Sequence, residues 1–278
     1  MENLSTTLLI PLLIGLFLGG LIGYLALVAG ALSRSGAWVA ALSGGLIFGL
    51  GRVPWSVLLL LFFISSSLLS RLFKQRKIAV SEKFSKGSQR DWGQVFANGG
   101  LGAMLVIVHA LFPTQVWPFV AFVGAMAAVN ADTWATELGV LSSSPPRLIT
   151  SGKIVEQGTS GGVSLLGTSA TILGALLIGL GAAIFDPLMD PSLDFWILVF
   201  AAVLGGLAGS LFDSLLGATS QAIYYCSCCE KETERYPLHV CGTQTSLIRG
   251  WGWLNNDLVN FACSLFGALV AVGVWLIL

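Results

Sequence analysis

The sequence predicts an all-α protein, a polytopic bundle of seven or eight transmembrane helices. Of its 278 residues, 55% are hydrophobic and 10% charged, against about 25% charge in an average soluble domain. The apolar residues fall in repeated stretches of about 17 to 25, the length that spans a hydrocarbon core of roughly 30 Å as a helix. Glycine occupies 34 positions; it weakens soluble helices but lets membrane helices pack closely. The 14 basic and 14 acidic residues cancel, so net charge points neither to a nucleic-acid partner nor to a general anion-binding surface. Residues 1–278 read as a single membrane domain.

In chain order the spans fall at 7–28, 36–51, 53–72, 94–112, 116–140, 163–185, 195–218 and 252–277. The second is short and carries Gly36, Gly44, Gly45, Gly49 and Gly51, so its alternative is a re-entrant segment, which leaves seven spans. Glu2 is the only early charge and no small-residue cleavage site follows, so the first stretch reads as a retained span rather than a signal peptide. Arg71, Lys74, Arg76, Lys77, Lys83, Lys86 and Arg90 crowd one connection, which assigns it to the cytoplasm. Loops 141–162 and 219–251 then share that side with 74–92, and all three are expected to form part of the site. The opposite loop 186–194 holds Asp186, Asp190 and Asp194 without Lys or Arg. With eight spans both termini are external.

Ionisable groups inside spans are costly and usually functional. Asp132, Glu137, Asp213 and Asp257 are the four here, all in the cytoplasmic third of their spans; the plainer alternative is interfacial or structural hydrogen bonding. In Asn130-Ala131-Asp132-Thr133-Trp134-Ala135-Thr136-Glu137, Asp132 and Thr136 share one face, and Asn130 and Glu137 another. Asp132 and Glu137 stand about 140° apart on a regular helix, so either the helix breaks near Asn130 or the two carboxylates have different partners. Gly209 to Ser214, with Gly217 and Ser220, makes a polar seam around Asp213. Asn256, Asp257, Asn260 and Ser264 fall at helical spacing in the last span.

Two loops feed these helices. Lys86 to Asp91 runs to Asn98-Gly99-Gly100, and Lys153 runs to Gly158-Thr159-Ser160-Gly161-Gly162. Glycines and hydroxyls before a helix offer backbone N–H groups to phosphate oxygens, or else serve as flexible membrane-entry turns. The arrangement repeats: a Gly-Gly loop, two spans and Asp132-Thr133 are echoed by a Gly-Gly loop, two spans and Asp213-Ser214. A glycine stands eight residues before each aspartate (Gly124, Gly205). An even number of spans separates the copies, which predicts a parallel internal repeat. In the last loop Cys226, Cys229, His239 and Cys241, with Cys228 as an alternative, have the ligand types of a tetrahedral zinc site; unligated or redox-active thiols are the other readings. A structural disulfide is disfavoured in a cytoplasmic loop. Cys263 and His109 read as packing residues.

Lys86-Gly87-Ser88-Gln89-Arg90-Asp91, Gln94 to Gly100, Ala131 to Gly139, Gly158 to Ser164, Gly209 to Ser214 and Asn255 to Asn260 together resemble the ordered motifs of one integral membrane family. That family contains the plant phytyl-phosphate kinase of tocopherol synthesis and mammalian transmembrane protein 19. The resemblance covers nearly the whole chain after the first span. It implies phosphorylation of a prenyl monophosphate (phytyl, geranylgeranyl or farnesyl) by a nucleoside triphosphate, CTP favoured, for tocopherol or prenylquinone synthesis or prenol salvage. On that reading Asp132, Asp213, Asp257 and Glu137 hold Mg²⁺. Lys86, Arg90, Lys153 and the N–H groups of Gly158 to Gly162 bind phosphates, and Asn98, Asn256 and Asn260 belong to the nucleotide site. The partners are the prenyl monophosphate and membrane lipids, with no nucleic acid; a homo-oligomer is compatible. The membrane is the plasma membrane or a thylakoid-type internal one, the site facing the cytoplasm. The competing class is an ion-coupled transporter of a small or lipid-linked anion, opposed by acids clustered at one face and by the lack of an inverted repeat; a scaffold would not require these motifs in three helices.

Overall fold

The computed structural model describes residues 2–75, 83–84, 86, 89–185 and 193–278, with side chains from residue 9 onward. Arg76, Lys77, Gly87, Ser88, Asp186 and Asp190 lie outside the described residues. Seven helices are described: α1 (Glu2–Val28), α2 (Arg34–Leu72), α3 (Trp92–Leu111), α4 (Trp117–Gly139), α5 (Leu165–Phe185), α6 (Phe195–Thr219) and α7 (Asn256–Ile277). Between them lie β1 (Arg147–Leu148), β2 (Gly162–Val163), β3 (Ile223–Cys226), β4 (Lys231–Thr233) and β5 (Ser246–Arg249). All helices except α4 are long and apolar enough to cross a membrane. This is a polytopic membrane helix bundle.

At 39 residues, a straight α2 would be about 58 Å long, nearly twice the hydrocarbon thickness. It breaks at Arg52 (φ 57°, ψ −151°), two residues before Pro54, which lacks the N–H to continue the ladder. The halves fold back on each other: Gly44 faces Leu59, and Arg71 Nη2 donates to Ala29 O beside the start of α2. The first half runs antiparallel to α1, with Gly15 against Gly45 and Gly49, and Gly19 against Ala41 and Gly45. A Cβ on Gly15 would lie 2.5 Å from Gly45 O, so glycine is what permits this backbone contact. Gly45 and Gly49 therefore mark a helix packed along α1. Two other boundaries move: α3 begins at Trp92, where Asp91 and Gln94 form a capping box, and α7 begins only at Asn256, capped by Asn255.

Helix α4 is the axis of the bundle, packed on α2, α3, α5, α6 and α7. Its residues from Pro118 to Ala131 are all buried, and this enclosure lets it carry polar groups no lipid-facing helix would tolerate. It runs without a break, so Asp132 and Glu137 have different partners. Asn130 ties three helices, accepting from Ser65 Oγ at 3.1 Å and donating to Gly174 O at 2.7 Å.

The expected repeat is only partly realised. Gly99 and Gly100 lie inside α3, whereas Gly161 and Gly162 precede α5, so the two Gly-Gly pairs are not equivalent. Gly124 and Gly205 are. A Cβ on either would approach Gly267 O of α7, to 2.5 and 2.7 Å respectively. Both helices thus cross α7 at one level, and eight residues, about 12 Å of helix, bring Asp132 and Asp213 to one level as well.

Candidate functional site

All three long connections meet at the end of the bundle where α4 and α6 finish. The loop after α4 pairs β1 with β2. The loop after α6 forms a three-stranded sheet, β4-β3-β5. Lys83 donates to Glu156 at 2.7 Å, Glu234 N to Lys83 O at 2.9 Å, and Ser160 Oγ to Glu234 Oε1 at 3.0 Å. Beneath them lies a cavity of about 480 Å³, within the range usual for small-molecule sites.

Asp132 and Asp213 face it from α4 and α6. Asp132 Oδ1 accepts from Ser210 Oγ at 3.4 Å; Asp213 Oδ2 is buried without a hydrogen-bond partner among the described residues. The two carboxylates interact electrostatically, and Glu234 adds to the negative charge at Asp213. No Lys or Arg contacts either aspartate among the described residues. A pair of this kind is costly unless a cation joins it, and its oxygens suit a hard divalent ion.

Glu137 and Arg90 occupy the other wall. Glu137 Oε1 accepts from Ser70 Oγ at 2.6 Å. Arg90 donates to Ser66 Oγ at 2.9 Å and to Ser67 Oγ at 3.4 Å, with its guanidinium near the rings of Phe62 and Phe63. Burial pulls the Arg90 pKa down, and the charge of Glu137 opposes that shift. Its backbone is fixed too, donating to Ala31 O and accepting from Ser33 N.

Lys86 reaches the cavity while paired with Asp91, at 2.9 Å, and with Asp257. Burial opposes its charge, but the bonds it donates to Asp257 and Asp91 win and raise its pKa. Burial likewise opposes ionisation of Asp91, yet Lys86 and the Gln94 N–H hold its carboxyl below the usual range. Asp257 packs against Gly93 at the start of α3 and does not line the cavity. The structure therefore gives it an ion pair tying α7 to α3, with its neighbours Asn256 and Asn260 in the cavity wall. Asn98 lines the cavity, while Lys153 is exposed and outside it.

Gly158 to Gly162 form one rim. Gly158 and Gly161 have positive φ, 77° and 83°, a conformation glycine adopts readily. A Cβ on Gly161 would lie 2.5 Å from Ala218 Cβ, so this glycine docks the loop on α6. The N–H groups of Thr159 and Gly162 are bonded inside the loop, to Glu156 O and Thr159 O, and are not phosphate donors in this conformation. Ser164 caps α5 by accepting from Gly167 N at 3.1 Å.

Several cavity residues escaped the sequence reading, among them Glu234, Gln221, Arg235 and Lys74. Arg235, whose Nε is buried without a partner among the described residues, sits in a mixed charge run that looks like ordinary solvated loop. Lys74 also lines the cavity, although its sequence context speaks only of membrane orientation.

In the loop after α6, ligand atoms of Cys226, Cys229, His239 and Cys241 all lie within 4.8 Å of one another; the alternative Cys228 is exposed and outside this group. Thr243, then His239, hold the Cys241 thiol down at about 5, whereas contact with Cys241 pushes Cys229 up to about 12. Cys263 is buried in α7, and His109 packs on Trp55 with ring centroids 5.3 Å apart.

Protein PGR of Arabidopsis thaliana is 36% identical over 225 residues, covering 74% of this chain and 76% of that protein. An uncharacterized membrane protein of Methanocaldococcus jannaschii is 31% identical over 242 residues, 87% of this chain and 84% of the other. Protein VTE6, chloroplastic, of Arabidopsis thaliana is 27% identical over 151 residues, 54% of this chain and 36% of that protein. No solved structure matches. The model of the integral membrane protein family DUF92 matches residues 17–268, and the chain belongs to that family.

Proposed function

We propose that the chain is a prenyl-phosphate kinase, transferring the γ-phosphoryl group of a nucleoside triphosphate, CTP by preference, to phytyl, geranylgeranyl or farnesyl phosphate. One observation carries the reading: the polar cavity adjoins an apolar groove between α1, α2 and α3, and Arg90, Gln94 and Asn98 line both. The rest of the groove is almost wholly apolar, including Ile22, Phe48, Leu59 and Phe63. A site with a charged chamber opening beside an apolar slot suits an amphipathic phosphate, its head in one and the start of its tail in the other. The partial similarity to VTE6 and the motif resemblance to the phytyl-phosphate kinase family support the same reading.

The acceptor brings its own nucleophile. A phosphate oxygen of the prenyl monophosphate attacks the γ-phosphorus, the bond to the bridging β-oxygen breaks, and the nucleoside diphosphate leaves with those electrons. No strong general base is needed, and the protein's task is in-line positioning and charge neutralisation. Lys74, Lys86, Arg90 and Arg235 line the cavity together with Asp132, Glu137, Asp213 and Glu234, so the chain alone has no cationic surplus for two phosphorylated substrates. Asp132 and Asp213 would hold Mg²⁺, which supplies the missing positive charge. Arg90, held at the junction, would orient the acceptor phosphate, and Asn98, Asn256, Asn260 and the Gly158–Gly162 rim would serve the nucleotide.

Purified protein is expected to convert a prenyl monophosphate to its diphosphate with Mg²⁺, tested with phytyl, geranylgeranyl and farnesyl phosphates against CTP, UTP, GTP and ATP. Failure of every pair, with uptake of a phosphorylated anion into proteoliposomes instead, would establish the transporter reading.

The site end is proposed to face the cytoplasm. Among the described residues only Arg52 places a Lys or Arg side chain near the other end, the bias expected of a cytoplasmic face. A membrane-impermeant maleimide should label exposed Cys228, and Lys153→Cys in a Cys228→Ser background, only after the cells are opened. Labelling of either position in intact cells would reverse the orientation. The membrane itself is proposed to be a plasma membrane or a thylakoid-type internal membrane.

A further inference from the structure

We propose that the cap between α6 and α7 is a zinc-bound ribbon, with Cys226, Cys229, His239 and Cys241 as the four ligands of one structural ion. The sequence supplies the ligand types, and the structure adds their convergence from two separate turns. Cys226 ends β3, and the turn from Cys226 to Cys229 reverses into β4 through Glu230, which adopts φ 52°. The second turn runs from His239 to Thr243. It is closed by His239 N donating to Thr243 O and Gly242 N to His239 O, both at 2.9 Å, with Gly242 at φ 82°.

The separations fit the metal. Cys226 Sγ and Cys241 Sγ are 3.5 Å apart, and His239 Nδ1 is 3.3 Å from Cys241 Sγ. Tetrahedral zinc, with bonds of about 2.3 Å to sulfur and about 2.0–2.1 Å to nitrogen, sets its ligands roughly 3.5–3.8 Å apart. A disulfide between Cys226 and Cys241 would use two of the four groups and leave the buried His239 ring facing sulfur without a function. Beyond Tyr225 the cap has little apolar substance to order itself. Ala222, Ile223 and Tyr224 are buried where β3 leaves the bundle, but from Cys226 to Gly250 the buried residues are Cys226, Thr233, His239 and Thr245, while Glu230, Lys231 and Glu232 are exposed. In such a segment metal-binding energy becomes folding energy. Four protein ligands leave no open position for catalysis.

The ion would govern the cavity indirectly. Glu234 and Arg235 follow β4 directly and line the cavity. Glu234 Oε1 accepts from Gln221 Nε2 at 2.8 Å as well as from Ser160, and its N–H reaches Lys83. The zinc turn thus anchors the strand end that joins all three loops. This inference does not depend on the kinase reading.

Elemental analysis of the full-length protein in detergent should find about one zinc per chain. Cys226→Ser and Cys241→Ser should each remove it, and Cys228→Ser should keep it. Because Cys241 is exposed, its replacement tests the site without disturbing a core. Cobalt-substituted protein should show tetrahedral visible bands and thiolate charge-transfer absorption, both lost in Cys241→Ser. Chelation should speed proteolysis at Lys231 and Arg235. Folded protein without zinc, zinc retained in both ligand variants, or a Cys226–Cys241 disulfide in the unreduced protein would overturn the proposal.

Discussion

Asp132→Asn and Asp213→Asn should each lower phosphoryl-transfer turnover by about 100- to 1,000-fold, the scale on which removal of one preorganised electrostatic group acts, while the protein purifies and melts like the parent. Asparagine keeps the shape of the side chain and can still bond Ser210 from position 132, so the bundle loses only charge. Charge is what the site lacks most: the four cations and four anions around the cavity cancel, and substrate phosphates can be neutralised only if the aspartate pair brings in a divalent ion. Asp257→Asn supplies the contrast. Its carboxylate pairs with Lys86 and stands outside the cavity wall, so its loss should lower thermal stability more than turnover. Initial rates at saturating Mg²⁺, beside a melting curve for each variant, decide the matter. Near-normal turnover in both Asp132→Asn and Asp213→Asn would remove the metal site from this end of the bundle.

The placement of these acids was legible because membrane helices obey few rules. Once apolar runs fix the helices, an aspartate inside one must be enclosed, and equal spacing from Gly124 and Gly205 puts both aspartates at the same depth. What the sequence concealed lies where two chemistries share one pattern. Gly-Gly reads alike in a loop and in a helix, so Gly99-Gly100, buried within α3, mimics the turn at Gly161-Gly162. Glycines in 36–51 suggest a re-entrant segment, yet Gly45 and Gly49 are the surface on which α1 lies, and only the partner helix reveals it. Asp257 shares helical spacing with Asn256 and Asn260, but the partner that withdraws it from the cavity, Lys86, is 171 positions away. Arg235 is hidden for a related reason: a cation in a mixed charge run acquires meaning only when β4 aims the chain at the cavity.

Gly44→Phe and Gly99→Leu should raise KM for a long-chain prenyl phosphate by about 10- to 100-fold, the range over which a hydrophobic pocket discriminates by size, and leave KM for the nucleotide unchanged. Both glycines line the groove that meets the cavity at Arg90, Gln94 and Asn98. Both also accept a Cβ without a clash, unlike the glycines that seal helix contacts. A Cβ on Gly44 would approach nothing closer than Leu59 Cδ2 at 3.9 Å, and one on Gly99 nothing closer than Ser43 Oγ at 4.0 Å. The backbone therefore accepts the new side chains, and since the groove is only about 70 Å³, a single phenyl or isobutyl group closes it. Gly273→Leu, where a Cβ also meets nothing and which is not among the residues lining the groove, is the control and should leave both constants alone. A prenyl phosphate cut back to one isoprene unit should lose little on either groove variant, because its tail ends before the obstruction. Kinetics on a chain-length series separate the outcomes: equal losses at every length would make the effect one of general packing, and unchanged KM at every length would place the tail in lipid outside the groove.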